Sequence, residues 1–356
     1  MLEKGTISNR ELTLLVIGFI LGSSVILTPA AFAGHEAWLA TLVGLAESLV
    51  FVIIYLTLLA KFPGKNIVQI NDIAYGPYLG KLISFLYLWY FLHLCSLVFR
   101  NFGDFFSIIM PETPMPVFLV LLLIVSAWAV RSGIEVIARC SCVLVALVMG
   151  LIILSTLLLV NKMDASNLMP LLSQPVMNYV LASHSAATFP FGETIAFTMV
   201  IFAAKKSAKS NKYVIKGLII AGLLLILIAL RNITVLGNTH VISTYPSFDA
   251  VRLINVGEII NRLEIIVAID FLTMGFLKIC ILYYATVLGM AQILKLKTYS
   301  PIVLPTGIII VSMSVLQFNN VIENIEFAYN IYPYYSSVFE FILPLVSLAI
   351  VKLKGY

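Results

Sequence analysis

The chain predicts an all-helical (all-α) integral membrane bundle of about ten transmembrane helices, arranged as two inverted five-helix repeats with helices 1 and 6 broken. Three observations carry this. The composition is 61% hydrophobic and 11% charged over 356 residues, with a mean hydropathy of +1.05, against about 45–50% apolar and ~25% charged for a soluble chain. Apolar runs of about 20 residues, the length that crosses hydrocarbon, recur between clusters of Pro, Gly and charge. Two of those runs are flawed in the middle. Phe189-Pro190-Phe191-Gly192-Glu193-Thr194 interrupts the segment from Tyr179 to Phe202, and Gly22-Ser23-Ser24-Val25-Ile26-Leu27-Thr28-Pro29 interrupts Leu12 to Ala33. Proline, glycine and a carboxylate facing lipid would leave backbone groups and charge unsatisfied. Interrupted spans opening each half of a membrane protein instead point to a transporter-type binding site near mid-membrane.

The ten segments run from Leu12 to Ala33, Trp38 to Ala60, Leu82 to Ile109, Pro116 to Val130, Ile137 to Val160, Tyr179 to Ala204, Val214 to Gly237, Leu263 to Leu294, Ile302 to Phe318 and Tyr334 to Val351. An even count puts both termini on one side. Sixteen Lys and Arg residues, from Lys4 to Lys354, then fall on that side, and Arg100, Lys162, Arg231, Arg252 and Arg262 on the other. The positive-inside rule makes both termini cytoplasmic, and the same loop charges explain the net charge of +5 without a nucleic-acid partner. Breaks in spans 1 and 6 divide the bundle into repeats of about residues 9–160 and 178–353. An odd number of spans per repeat inverts the second relative to the first.

Two connections carry structure of their own. Asn66 to Ala74 places Ile67, Ile70, Ile73 and Ala74 at helical spacing, which predicts a short amphipathic helix at the interface. Pro246 to Arg262 is either a lid over the outer mouth or a surface-resting connector. The first run imitates a signal peptide, ending in Ala31-Phe32-Ala33, but exceeds the about 7–15 residues of an h-region and is read as a retained span. Cys95, Cys140, Cys142 and Cys280 lack metal-site or disulfide spacing and are read as buried structural thiols.

The breaks supply the chemistry. Amides opening the second half of a broken first span would carry the positive end of a helix dipole, suited to a carboxylate. Carbonyls released there and near Thr188 and Phe189 would accept from an ammonium group. Gly22, Ser23, Ser24, Val25 and Thr28 in the first span, and Thr188, Phe189, Phe191, Gly192 and Glu193 in the sixth, are therefore the candidate ligand-binding residues; the alternative for the small ones is tight helix packing. Glu193 binds the ligand's ammonium, exchanges a proton, or caps the second half-helix. Phe189 and Phe191 narrow the pocket to a small ligand. Tyr90 and His93 share a helical stripe in the third span and could donate to a ligand carboxylate. In the eighth span Lys278 lies too deep to snorkel readily. It either replaces a bound cation or forms an ion pair with Asp270, Glu193 or Glu47. No phosphate loop, metal-spaced set or activated nucleophile is present, so no catalytic, metal or cofactor site is expected and the chain is not read as an enzyme.

Taken together, Gly22 to Pro29, Phe191-Gly192-Glu193, Ser166-Asn167-Leu168-Met169-Pro170, Arg262-Leu263-Glu264 and Leu343-Pro344 resemble the spore germination amino-acid permease family, which supplies the B subunits of germinant receptors. Their order and spacing cover the whole chain. The family is similar to a branch of the amino acid, polyamine and organocation (APC) transporter superfamily. That resemblance implies a leucine-transporter-like (LeuT-like) fold and recognition of a small nutrient, often an amino acid, in the spore inner membrane, alongside A and C subunits. It also places Tyr90 toward the central cavity, and Lys278 near the position where such transporters commonly hold a cation between spans 1 and 8. Ser23-Ser24 departs from the family's glycine-rich break, so ligand preference does not carry over. The expected role is a ligand sensor; the alternatives are a proton-coupled amino-acid permease and a ligand-gated ion or water conduit.

Overall fold

The computed structural model describes residues 5–205, 210–254 and 262–356. Lys4, Lys206 and Lys209 and the later part of the predicted lid, residues 255–261, lie outside the described residues. The helices are α1 (Asn9–Ser24), α2 (Ala37–Ala60), α3 (Ile67–Tyr75), α4 (Leu79–Ile109), α5 (Met115–Arg131), α6 (Ile134–Leu159), α7 (Val176–Ala186), α8 (Asn211–Leu236), α9 (Thr239–Ile242), α10 (Pro246–Arg252), α11 (Ile265–Ile293), α12 (Ser300–Leu316), α13 (Val321–Asn330), α14 (Tyr332–Ser337) and α15 (Leu343–Leu353). Among the described residues six helical segments are long and apolar enough to cross a membrane, and α12 with α13 adds a pair bent by 100°. The fold is all-helical.

The first helix is the axis of the bundle. It starts on a capping box, the Ser8 hydroxyl accepting from Glu11 N–H and the Glu11 carboxylate accepting from Ser8 N–H, which satisfies two otherwise orphaned donors. From Leu12 to Ser24 it is buried on nearly every face, as an apolar-all-round helix must be, and it packs against α6, α8 and α11. Just before it, Ile7 N–H donates to the Ala203 carbonyl and Lys205 N–H donates to the Ile7 carbonyl, each at 3.0 Å. The start of the first span is thus tied to the end of the sixth.

Both expected interruptions are present, with different shapes. Gly22 departs from helical geometry at φ −10°, ψ −108°, and residues 25–30 form turns before a short 3₁₀ stretch, Ala31–Glu36. There is no second α-helical half. The amides expected to be free are engaged locally: Val25 N–H donates to Leu21 O, and those of Ile26 and Leu27 donate to Ser23 O. In the sixth span α7 runs into a wide π turn, Ala187–Phe191, where Phe189 is extended (φ −108°, ψ 114°), and then into 3₁₀ turns, Gly192–Met199. Pro190 has no N–H to continue the α ladder. The tenth span has a second π turn, Val338–Ile342, between α14 and α15.

The predicted amphipathic helix is α3, capped by Asn66 and Gln69. Two readings need correction. Arg100 and Arg231, counted as outer-loop charges, are 3% exposed and lie within α4 and α8. Cys140 is exposed on α6 rather than buried, while Cys95 and Cys280 are buried, because helix α6 turns one face away from the bundle.

Candidate functional site

Where α1 gives out, Gly22 lets α11 come close. A Cβ on Gly22 would lie 2.5 Å from Lys278 Cδ and 3.1 Å from Lys278 Cβ, so the lysine stem runs over the glycine. Its ammonium reaches Glu193 in an ion pair with both side chains no more than 1% exposed. The rings of Phe189 and Phe19 stand 5.1 and 5.3 Å from the same nitrogen, adding cation–π attraction at a buried charge. Of the partners weighed for Lys278, Glu193 is the one it meets. Glu47 bonds His184 at 2.7 Å. Asp270 has a buried carboxylate oxygen without a hydrogen-bond partner and interacts electrostatically with Arg231 instead.

Glu193 also accepts from the Tyr332 hydroxyl at 2.8 Å. Tyr332 lies 3.0 Å from the Tyr90 hydroxyl, and Tyr90 is 2.5 Å from Glu340 Oε1. Glu340 is 0% exposed and was not anticipated. It sits in the π turn of the tenth span, flanked by Phe339, whose ring stacks on Tyr90 at 4.6 Å. Its other oxygen, Oε2, has no partner and lies where a Cβ on Gly192 would be. Gly192 is therefore required by the approach of a carboxyl group, a reason beyond helix breaking. The available signal was the ionisable residue itself, placed inside the last apolar segment.

Above this cluster, Ser23, Phe189, Glu193, Lys278, Asn324 and Tyr332 border a cavity of about 30 Å³. A second polar chain closes it from the side. Asn101 donates to Ser23 Oγ at 3.3 Å, and Asn324 donates to Asn101 and to Asp104, both at 2.9 Å. Arg100 pairs with Asp104 at 2.9 Å and donates to the Phe318 carbonyl at 2.5 Å.

The remaining candidates lie around this centre. Ser24 is buried with its hydroxyl unpartnered, Val25 is buried, and the Thr28 carbonyl accepts from Tyr329 at 3.4 Å. The Thr188 hydroxyl bonds back to His184 O and Ser185 O, and Phe191 is fully buried. His93 stacks on Trp89 and contacts the Tyr335 hydroxyl at 3.3 Å; neither contact is with the cavity.

A family profile described as "Spore germination protein" matches residues 6–322. Spore germination protein KB of Bacillus subtilis (strain 168) is 32% identical over 352 residues, covering 97% of this chain and 94% of that protein. Spore germination protein YndE of the same organism is 24% identical, covering 83% of each. Among solved structures, Mhp1, a nucleobase-cation-symport-1 family transporter in a closed conformation with bromovinylhydantoin bound, superposes with a TM-score of 0.73 at 12% identity, over 97% of this chain and 78% of that one. MhsT in complex with L-phenylalanine gives 0.72 at 14% identity, over 99% and 100%. These neighbours show the leucine-transporter-like fold, and neither family nor fold is that of an enzyme. With a profile and a close relative both spanning most of its length, the chain belongs to the spore germination protein family of permease-type membrane proteins.

Proposed function

We propose that this protein is the membrane-embedded nutrient-recognition subunit of a spore germination receptor, and that its ligand is a small amino acid held between the interrupted first and sixth spans. The spore inner membrane as its location, cytoplasmic termini, A and C subunits as partners and the inverted five-helix repeats belong to the same reading. One observation carries it: the buried pair of Lys278 and Glu193 at the edge of the cavity, beside Ser23 and Phe189. A zwitterion presents the same two charges. Its carboxylate can take over Lys278 and its ammonium Glu193, so each buried charge keeps a counter-charge through the exchange. The amides of the first-span break are spoken for, which shifts the recognition of the ligand carboxylate from helix dipole to lysine.

A volume of about 30 Å³ holds little more than a water, whereas small-ligand sites run to about 300 Å³ or more. Binding therefore selects an arrangement in which Phe189 and Tyr332 stand further apart, and the difference in affinity between the two arrangements is the signal passed to partner subunits. The test is a binding screen of labelled amino acids on the purified protein, with and without sodium. Sodium-independent binding of one or a few amino acids is expected, with Glu193→Gln weakening it about tenfold to a hundredfold, the loss of one charged hydrogen bond. Binding unaffected by that substitution removes the site. The fold of the transporter neighbours favours a second reading, a proton-coupled permease; accumulation of labelled amino acid in proteoliposomes under a proton gradient would establish it, and ion or water flux without accumulation would mark a conduit.

A further inference from the structure

The contacts below the cavity form a series of four oxygens: Glu340 Oε1, the Tyr90 hydroxyl, the Tyr332 hydroxyl and Glu193 Oε1. The three gaps measure 2.5, 3.0 and 2.8 Å. Each gap is within hydrogen-bond distance, so each requires a proton. The two phenols supply two. With both carboxylates ionised, one gap would bring two oxygen lone pairs together inside a buried core. The third proton must come from a carboxyl group.

Charge gives the same count. The cluster holds two carboxylates and one ammonium, all at 0–1% exposure, and Lys278 is already on Glu193. The other groups facing Glu340 are Tyr55, whose hydroxyl donates to Thr194, and Tyr335, whose hydroxyl meets His93; neither brings a positive charge. Glu340 Oε2 has no partner, and the close approach of Gly192 leaves no room there for a cation. An ionised Glu340 would be an uncompensated charge at mid-membrane.

We infer that Glu340 is a proton-binding site: it is carried as the neutral acid, and its proton communicates through Tyr90 and Tyr332 with Glu193. In the resting order Glu340 donates to Tyr90, Tyr90 to Tyr332 and Tyr332 to the Glu193 carboxylate. A concerted shift of the three protons gives an ionised Glu340, a neutral Glu193 and the same three hydrogen bonds, with no proton gained or lost. Lys278 holds the first order by its charge on Glu193. A ligand ammonium that takes the place of Lys278 on Glu193 keeps the first order, and a carboxylate that draws Lys278 away before an ammonium replaces it favours the second. This use of the proton rests on the proposed nutrient site; the presence of the proton does not.

Infrared spectroscopy of the purified full-length chain in lipid nanodiscs at neutral pH tests the assignment without any ligand. The expected result is a deuterium-sensitive protonated-carboxyl C=O band with a component missing in Glu340→Gln and kept in Asp270→Asn. In Tyr90→Phe that component should persist and move to higher frequency, because the acid has lost its acceptor; this variant carries the test if Glu340→Gln does not fold. A wild-type spectrum without the band, a band undiminished in Glu340→Gln, or a component unmoved in Tyr90→Phe would each overturn the inference. Failure of the amino-acid screen would leave the band in place, so the two readings fail separately.

Discussion

At the scale of single residues, the cluster around Lys278 shows how a permease-type bundle keeps ionisable groups in hydrocarbon. Each charge is met by another charge or by a hydroxyl, and glycines at 22 and 192 open the space for them. Lys278→Ala leaves Glu193 buried and unpaired, which costs on the order of 3–5 kcal/mol, whereas removing both charges is far better tolerated. Thermal unfolding of the purified protein should therefore show a large fall for Lys278→Ala and substantial recovery in Lys278→Met combined with Glu193→Gln. Glu193 and Lys278 were legible as exceptional residues because each is an ionisable group inside a span. Their mutual contact was one of several pairings that spacing allowed, since residues 85 positions apart carry no local signal of proximity. Glu340 was legible on the same ground as Glu193 but lies among Phe339, Phe341 and Ile342, which read as ordinary packing.

At the scale of elements, α13 matters most. It follows α12 at a 100° bend and is fastened inward by Asn324, which bonds Asn101 and Asp104. Asn324→Leu removes these bonds and leaves two buried acceptors short, a loss of about 1–3 kcal/mol that denaturation of the purified protein can measure. A fall well below that range would show that α13 is held by its apolar contacts alone. The helix was missed in the sequence, although Asn320 caps Glu323 N–H at 2.9 Å and Glu323 reaches back to Asn319 N–H at 2.8 Å, a start signal recognisable from spacing. The expectation for the first span failed for a different reason: a break was legible from Gly22, but whether a helix restarts after it is settled by tertiary packing. Outside the spans, α9 carries His240, 4% exposed with both ring nitrogens unpartnered, and burial lowers its pKa from 6.5 to about 4. Between those values the unfolded chain takes up a proton that the folded imidazole refuses. The stability His240 contributes is thus complete above about pH 6.5 and is lost as pH falls through 4. Protection of the α9 amides against hydrogen exchange, taken relative to the intrinsic rate at each pH, should fall over that window, and His240→Gln should hold that protection constant.

At the scale of the whole molecule, segment boundaries were readable to within a few residues for most spans, because hydrocarbon permits little besides long apolar helices. The side of the membrane on which Arg100 and Arg231 act was not, because a buried arginine and a loop arginine are alike in sequence until the helix ends are known. The two ends of the bundle differ in how they are fastened. At one, Arg100, Asp104, Asn101 and Asn324 join α4, α12 and α13 through charged and amide side chains. At the other, the chain's entry and the end of the sixth span are joined by backbone bonds at Ile7. Ile7→Pro deletes one of them, and the Lys205 amide should then exchange severalfold faster, in line with about 0.5–1.5 kcal/mol per bond. An unchanged rate would show that side-chain packing, and not the peptide pair, keeps this end shut. Because that seam is made of uncharged peptide groups that water can replace in kind, neither salt nor pH should weaken it directly. The opposite rim holds Arg100 on the Phe318 carbonyl and Asn324 on Asp104, bonds with one charged member that cost more to part, so the molecule unzips most readily at the end where the first span starts.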